Sequence, residues 1–236
     1  MNFSADGRII VVAYGDGTIR WVRSSDGKEL LALFINRKTK AWVAWTPSGY
    51  YMASPGGEDL IGWHVNRGWS QAADFFPASQ FANKYARADV VKRVLDTLDE
   101  QEAVRLADRS NPENKTVPPI IETLPPVLSI LSPADNTHAA GPTVTVTYLI
   151  RSPSGLPLDA VETLIDGQPG GARATGDDAE VKRCIQETHG LGRSDGALQG
   201  CRGSLNVEIS SGATEIGLFA KAGGKTSNIA TTRVTR

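Results

Sequence analysis

Two cysteines and three histidines are the side chains best suited to covalent or metal chemistry in this chain of 236 residues. Cys184, His189 and Cys201 fall in one glycine-rich stretch. His189 and Cys201 are the types that nucleophilic catalysis needs: the imidazole takes the thiol proton and the thiolate attacks a carbonyl carbon. Cys184 and Cys201 stand 17 residues apart. A bridge between them would restrict the unfolded chain by about 3 kcal/mol in the chain-entropy model. In a reducing compartment they would stay two free thiols, and the residues leave both states open. As metal ligands the three supply one donor fewer than a structural zinc site takes, and no Cys-x-x-Cys pair supports them. No metal and no cofactor is therefore expected. His64 reads as a hydrogen-bonded residue at a core edge, and His138 lies in a turn. Phosphate-binding, Gly-x-Ser-x-Gly and His-Glu-x-x-His motifs are absent from the sequence.

Composition narrows the function classes. Lys and Arg total 25, Asp and Glu 26, and the net charge is −1. The charge is also evenly spread, at +2 over residues 1–68, −2 over 69–113 and −1 over 114–236. Nothing here would neutralise phosphates or hold to an anionic membrane, so neither nucleic acid nor membrane is expected as a partner. Hydrophobic residues make up 40% and charged residues 22%, an ordinary globular balance. The first residues carry no basic segment followed by an apolar run, and no stretch approaches membrane-spanning length. A cytoplasmic setting is expected.

The elements that would position this chemistry are mostly strands. Ile9–Tyr14 is an apolar, β-branched run, Thr18–Val22 alternates, and Glu29–Ile35 is a third run. Asp16-Gly17 and Asp26-Gly27 separate them, the turn chemistry of tight hairpins. Ala41–Trp45, Tyr50–Ser54 and Leu60–Val65 continue the pattern. Phe3-Ser4-Ala5-Asp6-Gly7 aligns with Trp45-Thr46-Pro47-Ser48-Gly49 at a period of 42 residues, within the about 40–45 of WD40 repeats.

On these residues the N-terminal third resembles WD40 blades. Trp21 matches the strand-end tryptophan of that family, although Val22 stands where it has Asp. Trp45 and Trp63 occupy corresponding blade-core positions. The unit ending Trp63-His64-Val65 resembles the last blade of bacterial multidomain proteins in which a propeller precedes a linker, an Ig-like domain and a caspase-like (metacaspase-type) peptidase domain. A closed propeller takes about 4–8 blades, and residues 1–68 have room for two. The resemblance therefore implies incomplete propeller blades from a longer ancestor, with open edges through which copies could self-associate.

Residues 69–109 read as a helical linker. Among Phe75, Phe76, Phe81 and Tyr85, the pairs 81/85 and 76/81 suit one side of a short helix. Val91, Leu95 and Leu98 follow helical spacing, and Asp99 is placed to cap a second helix. Five prolines over residues 110–126 read as an extended hinge. Residues 127–236 show six or seven short strands, the pattern of an Ig-like β-sandwich, with a long Gly-rich loop at 170–203. The fold class is mainly β.

His189-Gly190 and Gln199-Gly200-Cys201-Arg202-Gly203 resemble the two halves of a caspase dyad. In that fold the halves end different parallel strands, and a parallel crossover takes at least about a dozen residues before either strand is counted. His189 and Cys201 are 12 apart, with four glycines between. The expected function is thus a non-catalytic protein-interaction or scaffold module. The alternative is a cysteine peptidase using Cys201 and His189.

Overall fold

Three Asp-Gly turns organise the first strands. Asp6, Asp16 and Asp26 each accept a hydrogen bond from the backbone N–H two residues on, at Arg8 (3.1 Å), Thr18 (2.9 Å) and Lys28 (3.2 Å). This side-chain bond closes the turn and leaves the following glycine to adopt the backbone that a hairpin requires. Arg23 also grips Asp26 at 2.5 Å and holds its carboxyl down at about 2. The computed structural model describes residues 1–66, 72–111, 118–175 and 200–236, and of 171–175 the backbone. It divides into two units, Met1–His64 with Phe75–Pro119, and Val65–Asp74 with Ile120–Arg236.

In the first unit β1 (Asn2–Phe3), β2 (Ile9–Ala13), β3 (Thr18–Arg23), β4 (Glu29–Ile35), β5 (Trp42–Trp45) and β6 (Tyr51–Ala53) form one antiparallel sheet in chain order. The sequence repeat suggests two separate blades, whereas the strands make a continuous six-stranded meander. The reason is the link at Asn36–Ala41. Asn36 and Lys40, and Asn36 and Ala41, are joined by backbone bonds of 2.8 Å, a tight hairpin that runs β4 straight into β5. No sheet among the described residues closes on itself.

The next segment is less helical than its aromatic spacing suggests. β7 (Gly62–Val65) pairs with β8 (Asp74–Pro77). Phe75 is 49% exposed and Phe76 4%, the two-residue alternation of a strand. A short 3-10 turn then leads into α1 (Ala82–Tyr85), α2 (Ala88–Thr97) and α3 (Glu100–Ser110). Asp99 caps α3, accepting from the Glu102 N–H at 3.0 Å. Val90, Val91 and Val94 bury one face of α2, which packs over β4 and β6. Ser48 donates twice to the Glu100 carboxylate, at 3.2 and 3.0 Å, and Arg23 donates to the Leu98 carbonyl at 2.7 Å.

Arg87 is the polar centre of this unit. It is 7% exposed. Its guanidinium donates to both Asp89 oxygens at 2.9 Å and to Asp108 at 2.8 Å, and it lies 6.0 Å from the centre of the Tyr50 ring. The Asp89 bond, supported by Asp108, outweighs burial and holds the guanidinium above its ordinary range. The same bond holds the Asp89 carboxyl below its ordinary range.

The second unit is a sandwich of two sheets. After α4 (Ile120–Thr123) come β9 (Val127–Ser132), β10 (Thr137–His138), β11 (Thr143–Arg151), β12 (Leu158–Ile165), β13 (Gln168–Thr175), β14 (Cys201–Glu208), β15 (Ala213–Ala222), β16 (Lys225–Thr226) and β17 (Ala230–Thr235). One sheet runs β10-β17-β15-β12-β13 with β16 on β15, and the other runs β14-β11-β9. Leu128, Val146, Tyr148 and Ile150 of the smaller sheet share a core with Val161, Ile216, Leu218 and Val234 of the larger. The proposed loop at 170–203 is shorter than its glycines imply. Residues 170–175 belong to β13, which pairs with β12 through a register shift, and 201–203 to β14, which pairs with β11. The Pro-rich 110–126 stretch is likewise not wholly extended. It begins at the last residue of α3, contains α4, and buries Thr123 and Leu124 at 4% and 1% exposure.

Replacing Arg87 with Met leaves two carboxylates without their countercharge. Because both carboxylates keep part of their access to water, losing these charge-assisted bonds costs about 1.5–3 kcal/mol, to be read as a lowered urea midpoint. Because the Asp89 carboxyl is depressed, its contribution is full above the ordinary aspartate range and is lost as pH falls through its lowered folded value. Acid titration of the Asp89→Asn variant should accordingly show a shallower loss of stability than the parent chain.

Candidate functional site

Cys201 opens β14, which pairs antiparallel with β11, and stands opposite Ile150. It is 2% exposed, sits in the sandwich core and is disulfide-bonded. The glycines around it have packing reasons. Gly200 takes a φ of +80°, and a Cβ there would stand 2.8 Å from Cγ of Arg151 and 3.0 Å from the Ile150 carbonyl. Gly203 lies under the Tyr148 ring opposite it on β11, where any Cβ would collide with the phenol. The Gly-Cys-Arg-Gly run is thus the start of a core strand. While the bridge stands, its sulfur is not a thiolate and cannot act as a nucleophile. Cys184 and His189 lie outside the described residues, so their geometry with Cys201 is not described.

A buried ion pair borders this strand. Arg151 ends β11, with its side chain 2% exposed. It donates from Nη2 to Asp74 Oδ1 at 2.5 Å and from Nε to Oδ2 at 3.2 Å, a bidentate fork. Its Nη1 has no hydrogen-bond partner among the described residues. Asp74 is 77 residues away in sequence, and nothing local to either residue marks them as a pair. Among the described residues no three His, Cys, Asp or Glu side chains gather where they could hold a metal ion.

The first unit holds an open cleft of about 400 Å³ lined by aromatic side chains. Trp45 and Trp63 face it together with Pro47, Ile61, His64 and Phe75. Trp63 is braced edge-on against Phe81, with ring centres 5.3 Å apart, and against Tyr85 at 5.2 Å. Its indole lies over Gly49, where a Cβ would stand 3.0 Å from Cζ2. His64 is exposed, and its ring lies 4.9 Å from that of Phe75. The cleft therefore has a fixed indole wall and a more exposed Phe75–His64 rim. Two of the three tryptophans singled out by the repeat, Trp45 and Trp63, meet here. Trp21 does not line the cleft and is paired between Val11 and Leu31. Phe75 carries no signal in the sequence, because the segment reads as helix on the 76/81 and 81/85 spacing and Phe75 reaches the cleft only as part of strand β8.

The Asp74–Arg151 pair is testable by a double-mutant cycle. Asp74→Asn strands a buried guanidinium and should cost about 3–5 kcal/mol, whereas replacing both residues by apolar ones of similar volume should recover most of that loss. Thermal unfolding of the two single variants and the double variant reads the coupling.

No helix among the described residues is long and apolar enough to cross a membrane. No family model and no curated protein matches this chain. Among solved structures it is similar to the fibronectin(III)-like modules of Clostridium thermocellum CbhA, with a TM-score of 0.28 and 13% identity, over 46% of this chain and 94% of that one.

Proposed function

We propose that this chain is a non-catalytic protein-interaction module, and that the aromatic cleft of its first unit takes a peptide segment presenting a proline or another apolar side chain. The observation that carries the reading is the cleft lined by two indoles, Trp45 and the ring-braced Trp63, with Phe75 at the rim. Tryptophan supplies much apolar contact area at low conformational cost and is enriched among residues that dominate binding energy. Aromatic-lined grooves also suit the preformed polyproline conformation. The blade-like reading of the first unit rests on its 42-residue repeat, and the Ig-like reading of the second on its two-sheet core. A place beside a caspase-like peptidase domain rests on the order of these segments.

The rival reading, a cysteine peptidase, requires a free, accessible Cys201 thiolate near His189. Burial and the disulfide at Cys201 weigh against it. The disulfide also weighs toward an oxidising compartment rather than the cytoplasm.

The test is a peptide-library selection on the full chain, followed by indole fluorescence titration, since Trp45 and Trp63 report directly on the cleft. Peptides with proline or aromatic anchors should bind, and Phe75→Ala, at an exposed position, should weaken them about tenfold or more. Cleavage of peptide substrates by the reduced chain, lost in Cys201→Ala, would overturn the reading in favour of the peptidase.

A further inference from the structure

We infer that the peptide taken by the aromatic cleft is acidic beside its anchor, and that Lys40 and Thr39 hold its carboxylates in a second hollow next to the cleft. This rests on the cleft reading and names the charge of its ligand. The second hollow is open, measures about 460 Å³, and lies between the β4–β5 hairpin and the turn after β6. Thr39 and Lys40 line it from the hairpin, Ser54 and Pro55 from the turn. Leu60 lines both this hollow and the aromatic cleft, so one extended segment can occupy the two.

The hairpin carries uncompensated positive charge. Arg37, Lys38 and Lys40 are all exposed, and among the described residues none of them has an ion-pair partner. Arg20, Arg23 and Arg87, by contrast, are each held by aspartate or glutamate. No carboxylate lines the hollow. Glu58 and Asp59, just before Leu60, form no ion pair among the described residues either. The loop fixes where the charges stand. Asn36 Oδ1 accepts from the Lys38 and Thr39 N–H groups at 2.9 and 3.2 Å, and the Lys40 N–H donates to the Asn36 carbonyl at 2.8 Å. Lys40 has a φ of +63°, a left-handed backbone that glycine or asparagine adopts more readily. Keeping a lysine there sets an ammonium beside the hollow at a conformational cost, the kind of local strain that gathers at functional sites. Next to it, Thr39 Oγ1 accepts from the Ala41 N–H at 3.3 Å and keeps its own proton for a ligand oxygen.

Charge complementarity selects the occupant. A wholly apolar segment would leave the hairpin cations and the Thr39 proton to water, and a basic segment would be repelled. A carboxylate gains a charge-assisted bond from Lys40 and a hydroxyl bond from Thr39. The cations are confined to one hairpin of a chain whose net charge is −1. A duplex or an anionic membrane draws on a broader basic surface. The cleft itself is lined by no Asp, Glu, Lys or Arg, so the acidic residues belong on the flank of the anchor and not within it.

Fluorescence anisotropy on the full chain tests this with labelled peptides that share a Pro-Pro anchor and differ in flank, carrying glutamates or glutamines before or after it. The glutamate peptide should bind about tenfold or more tighter than its glutamine match. The gap should close as sodium chloride rises from about 30 to about 300 mM. Lys40→Gly removes the ammonium at a position whose backbone suits glycine, so its melting temperature should not fall. It should erase most of the glutamate advantage and leave the glutamine peptide unchanged. Equal binding of the two peptides, lost in Phe75→Ala, overturns the inference and leaves the cleft reading standing. A glutamate advantage that survives both Lys40→Gly and Lys38→Gln also overturns it. Binding lost in Lys40→Gly but indifferent to Phe75→Ala sinks the cleft reading, and the linked ligand with it. Duplex DNA that binds more tightly than the glutamate peptide at the same salt would reassign the hairpin to polyanions and overturn the inference too.

Discussion

A guanidinium taken out of water must find its countercharge, and each unit of this protein is arranged around one that has. The cost of stranding such a group exceeds what most single contacts return. Arg87 ties the start of α2 to the end of α3, because Asp89 sits in the first turn of one helix and Asp108 in the last turn of the other. Arg151 does the same for the second unit. Its fork to Asp74 brings residues 77 apart in sequence into contact at the end of β11. The hydrophobic faces could slide or repack at modest cost, whereas the bidentate pairs have one geometry.

Around those anchors the backbone follows short-range rules. Three aspartates close three turns by the same bond, and β1 to β4 follow from them. The start of β14 shows how such rules can imitate chemistry. A cysteine flanked by glycines looks like an exposed nucleophile loop. Here Gly200 turns the chain into the strand at φ +80°, and Gly203 makes room for Tyr148. Cys201 between them faces inward as part of the core. The glycines answer to a tyrosine ring and an arginine stem.

Local signals were legible in the sequence, and long-range ones were not. The Asp-Gly hairpins, the alternation of Thr143–Ile150 and the cap at Asp99 all act within a few residues, so their patterns are written contiguously. The continuity of the six-stranded sheet depends on the Asn36–Ala41 hairpin, whose Asn-Arg-Lys-Thr-Lys-Ala sequence carries no glycine to announce it. Phe75 and Phe76 fit helical and strand periods equally over so short a run, and pairing with β7 decided for the strand. The Asp74–Arg151 pair had no local mark. The cleft was half legible: the repeat picked out Trp45 and Trp63, while Phe75 joins them only once β8 is a strand.

The contrast between the two places where function was sought is one of physical availability. A catalytic sulfur needs water access, a lowered proton affinity and a base within reach. Cys201 has 2% exposure, a bridge and a position inside an antiparallel sheet. A binding surface needs rigid apolar area that folding has not already consumed. The first unit retains such area at the indole cleft, where Trp45, Trp63 and Phe75 line an open wall. Sequence runs such as Ile9-Ile10-Val11-Val12 belong to strands meant to be buried on both sides. In this chain they reach only partial burial.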